Sequence, residues 1–245
     1  MSTNLFDVKN ESVPRKTAFL FLVLDNSGSM TGTPIGAVNS AVEEVLLKIK
    51  DMNDSNADVC VEVALLAFNS KPDWITKNGP MMPENIPFIP LSATGGTNMG
   101  LAFDELEKKL HQSGGWLVRP SGSRAPVIIL MTDGEPLDDW SASLDRLKQN
   151  DWFRAGTKLG FAVGGEADFN VLEQFTGCPR NESIIHVSDG DVATKLANLI
   201  VFLAVKSAEI SSTPIDATAA GAQAQMAEVV EQINDGEWDM SGTGW

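Results

Sequence analysis

Leu24-Asp25-Asn26-Ser27-Gly28-Ser29-Met30 ends a run of apolar residues, Ala18 to Leu24, that stops on a carboxylate. A continuous apolar run of this length suits a strand buried on both faces of a parallel sheet. Behind the acid stand two hydroxyls two residues apart and a glycine for a tight turn. Pro34 then marks a helix start, followed by Ile35, Val38, Val42, Val45, Leu46 and Ile49 at helical spacing. A polar cluster at the carboxyl end of a central strand is where open α/β sheets place their ligands. The ligands on offer are hard oxygens, without histidine or thiolate, which favours magnesium, manganese or calcium over zinc.

The same pattern returns further along the chain. Val59 to Phe68 is a second strong strand, broken by Asn69-Ser70-Lys71-Pro72. Asp73 to Lys77 is short enough for an antiparallel edge strand. Met81 to Pro90 carries three prolines and reads as an irregular loop, and Ser92-Ala93-Thr94-Gly95-Gly96-Thr97-Asn98 leads into a helix from Leu101 to His111. The buried side expected for that helix is Leu101, Phe103, Leu106 and Leu110. Pro126 to Met131 is another apolar strand ending on a carboxylate and a glycine, Asp133-Gly134. A helix through Leu144 and Leu147 toward Trp152, a strand from Lys158 to Val163, a helix from Phe169 to Phe175, a strand from Ile184 to Val187 and a helix from Val192 to Val205 complete the alternation. Such an order predicts an α/β fold of Rossmann-like type: a mostly parallel six-stranded sheet with one antiparallel edge strand and helices on both faces.

The expected division is a lead-in over 1–16, a domain over 17–205 and an acidic tail over 206–245. In the tail, Lys206 is the only base, set against seven acids. Ala217 to Ile233 has a thin helical stripe of Met226, Val229, Val230 and Ile233. The tail closes on Glu237-Trp238-Asp239-Met240 and ends at Trp245. Acidity and sparse apolar content suit a solvated tail, whereas Trp238 and Trp245 suit a peptide that docks aromatic side chains on a partner.

A net charge of −15 over 245 residues argues against nucleic acid or an anionic membrane as partner. With only Cys60 and Cys178 there is no disulfide framework, which suits a reducing, cytoplasmic setting. The apolar run Ala18 to Leu24 falls far short of the roughly 20 residues of a membrane span. His111 and His186 lack a nucleophile or base nearby in sequence and read as packing or surface residues.

Asp25-x-Ser27-x-Ser29, with Thr97 in a second loop and Asp133 after a later strand, resembles the complete metal-ion-dependent adhesion site (MIDAS) of von Willebrand factor A (VWA) domains. The resemblance covers about Thr17 to Val205. It implies that Ser27, Ser29 and Thr97 bind a divalent cation, Mg2+ before Mn2+ or Ca2+, and that Asp25 and Asp133 act on it through water or through those hydroxyls. It also implies a protein-interaction module, not an enzyme, in which a partner's Asp or Glu fills the remaining coordination position. Thr94, Gly95, Gly96 and Trp140 are then candidates for lining the partner surface, with Trp238 and Trp245 as further contacts. Asp25 to Met30 with Gly32, Pro34-Ile35 and Val38-Asn39 looks closest to bacterial TerY-like VWA proteins of tellurium-resistance and stress operons, although Asn98 stands where many of those have proline. That likeness implies kinase or phosphatase components of the same operon as partners.

Two other readings stay open on the residues alone. Asp25 could be the nucleophile of a magnesium-dependent phosphohydrolase, or the metal could be purely structural. Any one of Asp25, Asp133 and Thr97 could merely cap the helix after it, and Ser27 and Ser29 could simply form a turn. The acids Glu237 and Asp239 could reach the ion of their own or a neighbouring molecule, giving self-association through the tail.

Overall fold

In a computed structural model, described here for residues 15–57, 59–111, 114–117, 125–164, 169–187, 227, 230 and 231, the chain builds a six-stranded sheet in the order β3-β2-β1-β4-β5-β6. The strands are β1 Lys16–Asp25, β2 Val59–Phe68, β3 Pro72–Trp74, β4 Val127–Thr132, β5 Thr157–Val163 and β6 Ile184–Val187. All neighbours pair in parallel except β2 with β3. The helices are α1 Thr33–Ser55, α2 Met99–Lys109, α3 Trp140–Lys148, α4 Asp151–Ala155, α5 Phe169–Thr176 and α6 Arg180–Ser183. Strand order runs outward from β1 in one direction and from β4 in the other. The topological switch point, where a crevice opens above the sheet, therefore lies between these two strands.

Period-two alternation divides each central strand between two cores. Leu20, Leu22 and Leu24 of β1 face one side with Val127, Ile129 and Met131 of β4. Val38, Ala41, Val42, Val45 and Ile49 of α1 cover them. Phe21, Val23, Ile128 and Leu130 face the other side, under α2, α3, α4 and α5. Each fully buried Val, Leu, Ile or Phe contributes about 1.5–3 kcal/mol. The doubly covered strands explain why their sequences are continuous apolar runs. Among the residues after β6, Ala227, Val230 and Glu231 are helical, and Val230 is wholly buried within the first core.

Several local expectations need correction. Helix α1 continues through Ser55, well past Ile49 where the apolar spacing stops, because Asn53 pairs with the next strand. Its Oδ1 accepts from Val61 N at 2.8 Å and its Nδ2 donates to Val61 O at 2.9 Å. Leu101 is 42% exposed; the buried stripe of α2 is Met99, Ala102, Phe103 and Leu106, a cleaner 3.6-residue period that leaves Leu101 to one side. The helix expected to run on to Trp152 is two helices. Asn150 interrupts it and caps α4, its Oδ1 accepting from Trp152 N and Phe153 N. The edge strand β3 is shorter than Asp73 to Lys77, and α6 had no counterpart in the sequence reading. The helix expected over Val192 to Val205 lies outside the described residues.

The Asn53 clamp yields a stability prediction. Asn53→Ala strands the N–H and C=O of Val61 in a buried site, at a cost of about 2–4 kcal/mol. For a domain of this size that lowers the thermal midpoint by roughly 5–15 °C. An unchanged midpoint in differential scanning calorimetry would show that the pair contributes nothing.

Candidate functional site

The parallel register pairs Leu24 with Met131, which sets Asp25 level with Thr132 across the switch point. Thr132 Oγ1 donates to Asp25 Oδ2 at 2.6 Å, and Ser27 N donates to Asp25 Oδ1 at 2.8 Å. Asp25 is thereby fully buried with both oxygens engaged. Burial raises its pKa above the usual carboxylate value, opposed by the hydrogen bonds from Thr132 and Ser27, with the charge of Asp133 a smaller upward push.

After Asp25 the chain turns through a short 3-10 segment, Gly28–Met30. Ser27 Oγ and Ser29 Oγ come 3.0 Å apart, and Ser29 Oγ donates to Asp133 Oδ1 at 2.8 Å. Asp133 reaches over from the end of β4. Thr97 arrives from the loop before α2 and is 5% exposed. Gly134 shows how tightly these groups converge. A Cβ placed there would lie 3.2 Å from Ser29 Oγ and 4.0 Å from Thr97 Oγ1.

Backbone lacing fixes the loops. Thr94 N donates to Asn26 O at 2.9 Å, and Gly28 N donates to Gly95 O at 2.9 Å. Gly95 has a φ of +77°, and a Cβ there would meet Ser70 Oγ at 2.7 Å, so only glycine fits. Ser70 Oγ in turn accepts from Gly96 N, and Asn98 bridges to Asn69 and Ser70. Asn39 of α1 holds the start of this loop, pairing with both N and O of Leu91.

The capping readings do not hold. The N-cap of α1 is Gly32, so Asp25 does not cap it; the N-cap of α2 is Asn98, and neither cap uses a side-chain hydrogen bond. The first turn of α2 is bound instead by Asp138, which accepts from Gly100 N at 2.9 Å and Leu101 N at 3.1 Å. Thr132, Asp138, Ser70 and Asn39 are site-building residues that sequence reasoning passed over. Thr132 alone left a signal, as the hydroxyl next to Asp133 on a strand that ends as β1 does.

The structure brings Asp25, Ser27, Ser29, Thr97 and Asp133 to one crevice, with Thr94, Gly95 and Gly96 on its rim. Trp140 begins α3 and is half-buried against the second core. Trp238 and Trp245 lie outside the described residues. His111 pairs with Glu107, and His186 contacts Gly164 O; both are exposed.

The donor set fits a hard divalent cation. Neighbouring oxygens around an octahedral Mg2+ are about 2.9 Å apart, close to the separation of the two serine hydroxyls. Ser29 directs its proton to Asp133, so Ser27 donates to Ser29, which keeps a second lone pair for an ion. Among the described residues no three His, Cys, Asp or Glu side chains converge as a metal group, so neutral hydroxyls would form the inner ligands.

The raised pKa of Asp25 gives a signed prediction for protein kept in chelator. The unfolded carboxyl ionises near 3.8, while the buried one resists ionisation. Asp25 therefore costs nothing at low pH and destabilises the fold increasingly as pH rises above that value. Asp25→Asn removes this dependence, and its thermal midpoint rises relative to wild type between acid and neutral pH. A difference between the two proteins that stays flat with pH would contradict this.

The family model of the von Willebrand factor type A domain matches residues 20–199. No curated protein sequence matches the chain. Among solved structures, a von Willebrand factor type A protein from Catenulispora acidiphila superposes with a TM-score of 0.55 at 17% identity, over 79% of this chain and 43% of that one. The proximal thread matrix protein 1 of the mussel byssus, in a form with a zinc-occupied MIDAS motif, gives 0.53 at 17% identity over 77% and 47%. Manganese-loaded TRAP protein of Plasmodium vivax gives 0.52 at 18% over 74% and 71%. The chain thus spans less than half the length of the first two structures. At such identities the likeness concerns the fold. The family-model match over most of the chain goes further: the chain belongs to the von Willebrand factor type A domain family.

Proposed function

We propose that this chain is a metal-dependent protein-interaction module. Ser27, Ser29 and Thr97 ligate a divalent cation directly, and Asp25 and Asp133 orient the ligands from behind. A partner's Asp or Glu completes the coordination. The observation that carries this reading is the pair of serine hydroxyls 3.0 Å apart, one of them donating to Asp133. Carboxylates that hold the ligands rather than the ion fix geometry without cancelling its charge. An ion ringed by neutral hydroxyls keeps most of its positive charge and seeks an external anion.

Mg2+ suits the all-oxygen donor set best. Mn2+ takes the same ligands, and the zinc-occupied MIDAS of the mussel protein supports a site that tolerates several divalent ions. The phosphohydrolase reading is less well supported. Asp25 is buried, with each oxygen accepting a hydrogen bond, a poor arrangement for in-line attack on phosphorus. The TerY-like details of the sequence extend the proposal to a bacterial cytoplasmic stress or tellurium-resistance system with kinase or phosphatase partners. Cys60 and Cys178 are not disulfide-bonded, which is compatible with that compartment. Among the described residues no helix is long and apolar enough to cross a membrane.

Metal binding should stabilise the fold by mass action. At a hundredfold excess over Kd, Mg2+ or Mn2+ adds about 2.7 kcal/mol, a rise of roughly 5–10 °C in thermal midpoint. Thr97→Ala and Ser29→Ala should lose most of that rise, and chelator should abolish capture of protein partners from native extract. A full metal-induced shift in Thr97→Ala would overturn the assignment of the ligands.

A further inference from the structure

Leu137 is 72% exposed, one of four large exposed apolar side chains among the described residues. A lone exposed leucine is ordinary, but this one is fixed beside the candidate metal site. Its N–H donates to Thr97 O at 2.8 Å, and the next residue, Asp138, grips the first turn of α2. Its side chain lies over Gly96, where an added Cβ would be 3.1 Å from Leu137 Cδ1. The result is an apolar step over Gly96, beside the backbone of Thr97. A ligand matched to this rim carries a carboxylate with a large apolar side chain next to it.

The sequence holds such a ligand in Glu237-Trp238-Asp239-Met240. It is also tethered to the same face of the sheet, because Val230 is buried in the first core, the cluster to which Leu24 and Met30 belong. From Glu231, the last helical residue described, the eight steps to Asp239 reach at most about 28 Å. The ten-residue β1 is about 33 Å tall. The maximum reach of the tether is thus comparable with the height of the sheet.

Resting on the metal reading above, we propose that the tail is the resident ligand of its own domain. A carboxylate flanking Trp238 completes the coordination of the ion, and Trp238 lies on Leu137. The site is then self-occupied, and an external acidic partner must displace the tail. A flexible tether of this length supplies an effective concentration on the order of millimolar, enough to fill the site even where the free peptide binds weakly.

The test uses the full chain and a fluorescein-labelled peptide of the sequence Asn234 to Trp245, followed by fluorescence anisotropy in Mg2+. A variant with Glu237→Gln, Trp238→Ala and Asp239→Asn should bind the peptide at least about tenfold more tightly than wild type, whose own tail competes. Chelator or added Thr97→Ala should abolish that binding, and added Leu137→Ser should weaken it several-fold. Equal affinity of wild type and tail variant, or no peptide binding by either, overturns the proposal. So does a wild-type protein that dimerises through the tail in sedimentation velocity, since the ligand would then come from a second copy. Mn2+ binding followed by electron paramagnetic resonance on the same proteins separates the two levels. Ion binding that depends on Thr97, with no peptide bound, removes the tail and keeps the module; no ion binding in any protein removes both.

Discussion

The hydrogen bond from Thr132 to Asp25 joins the two halves of the sheet where charge is most expensive to bury. Desolvating a carboxylate costs several kcal/mol even after local relaxation. Here it is offset only in part by the Thr132 hydroxyl and the Ser27 amide, supplied by β4 and by the turn after β1. The Thr132 hydroxyl could not arrive without the β1–β4 register, and that register is set by packing. Leu20, Leu22 and Leu24 must face α1 while Phe21 and Val23 face α2, and a slip of one residue would exchange the faces. Hydrophobic patterning therefore places Asp25 to within a hydrogen bond, and the rest of the site is built outward from it.

This is why so much was legible in the sequence. Doubly buried strands leave unbroken apolar runs, so β2 and β6 are found with the bounds expected of them, and β1 and β4 to within about two residues. The polar ligands follow those runs directly and inherit their position. Elements held by side-chain contacts distant in sequence left no such trace. The extra turn of α1 depends on Asn53 meeting Val61, and the division between α3 and α4 depends on Asn150 turning back on Trp152 and Phe153. Leu101 was misplaced because its hydrophobicity was taken as burial, whereas it belongs to the exposed rim. Asp138 is invisible as a capping residue without knowing that its loop passes the start of α2, some 38 residues earlier in the chain.

The loops of the site are held more firmly than their composition suggests. Glycines and serines over 92–98 would be mobile in an isolated chain, each costing backbone entropy to order. Here Thr94, Gly95, Gly96 and Asn98 each bond to the turn after β1 or the turn after β2, and Asn39 fixes Leu91 from α1. Preorganisation of this kind holds the proposed ligands Ser27, Ser29 and Thr97 at one crevice before any ion arrives. Binding energy is then not consumed in gathering them.

Charge imposes the last constraint. With a net charge of −15 the chain repels an acidic partner at long range. An ion in the crevice attracts it only within about a Debye length, roughly 8 Å at physiological salt. Diffusional capture of a free acidic ligand is therefore slow, and recognition must come from contacts made close in: the ion itself and the apolar step at Leu137. A ligand tethered through Val230 avoids the encounter altogether, because it is already inside the repulsive field. The same acidity that hinders outside ligands thus favours an inside one. If the tail occupies the site as proposed, a competing partner needs either a basic surface to bring it in or several simultaneous contacts to displace it.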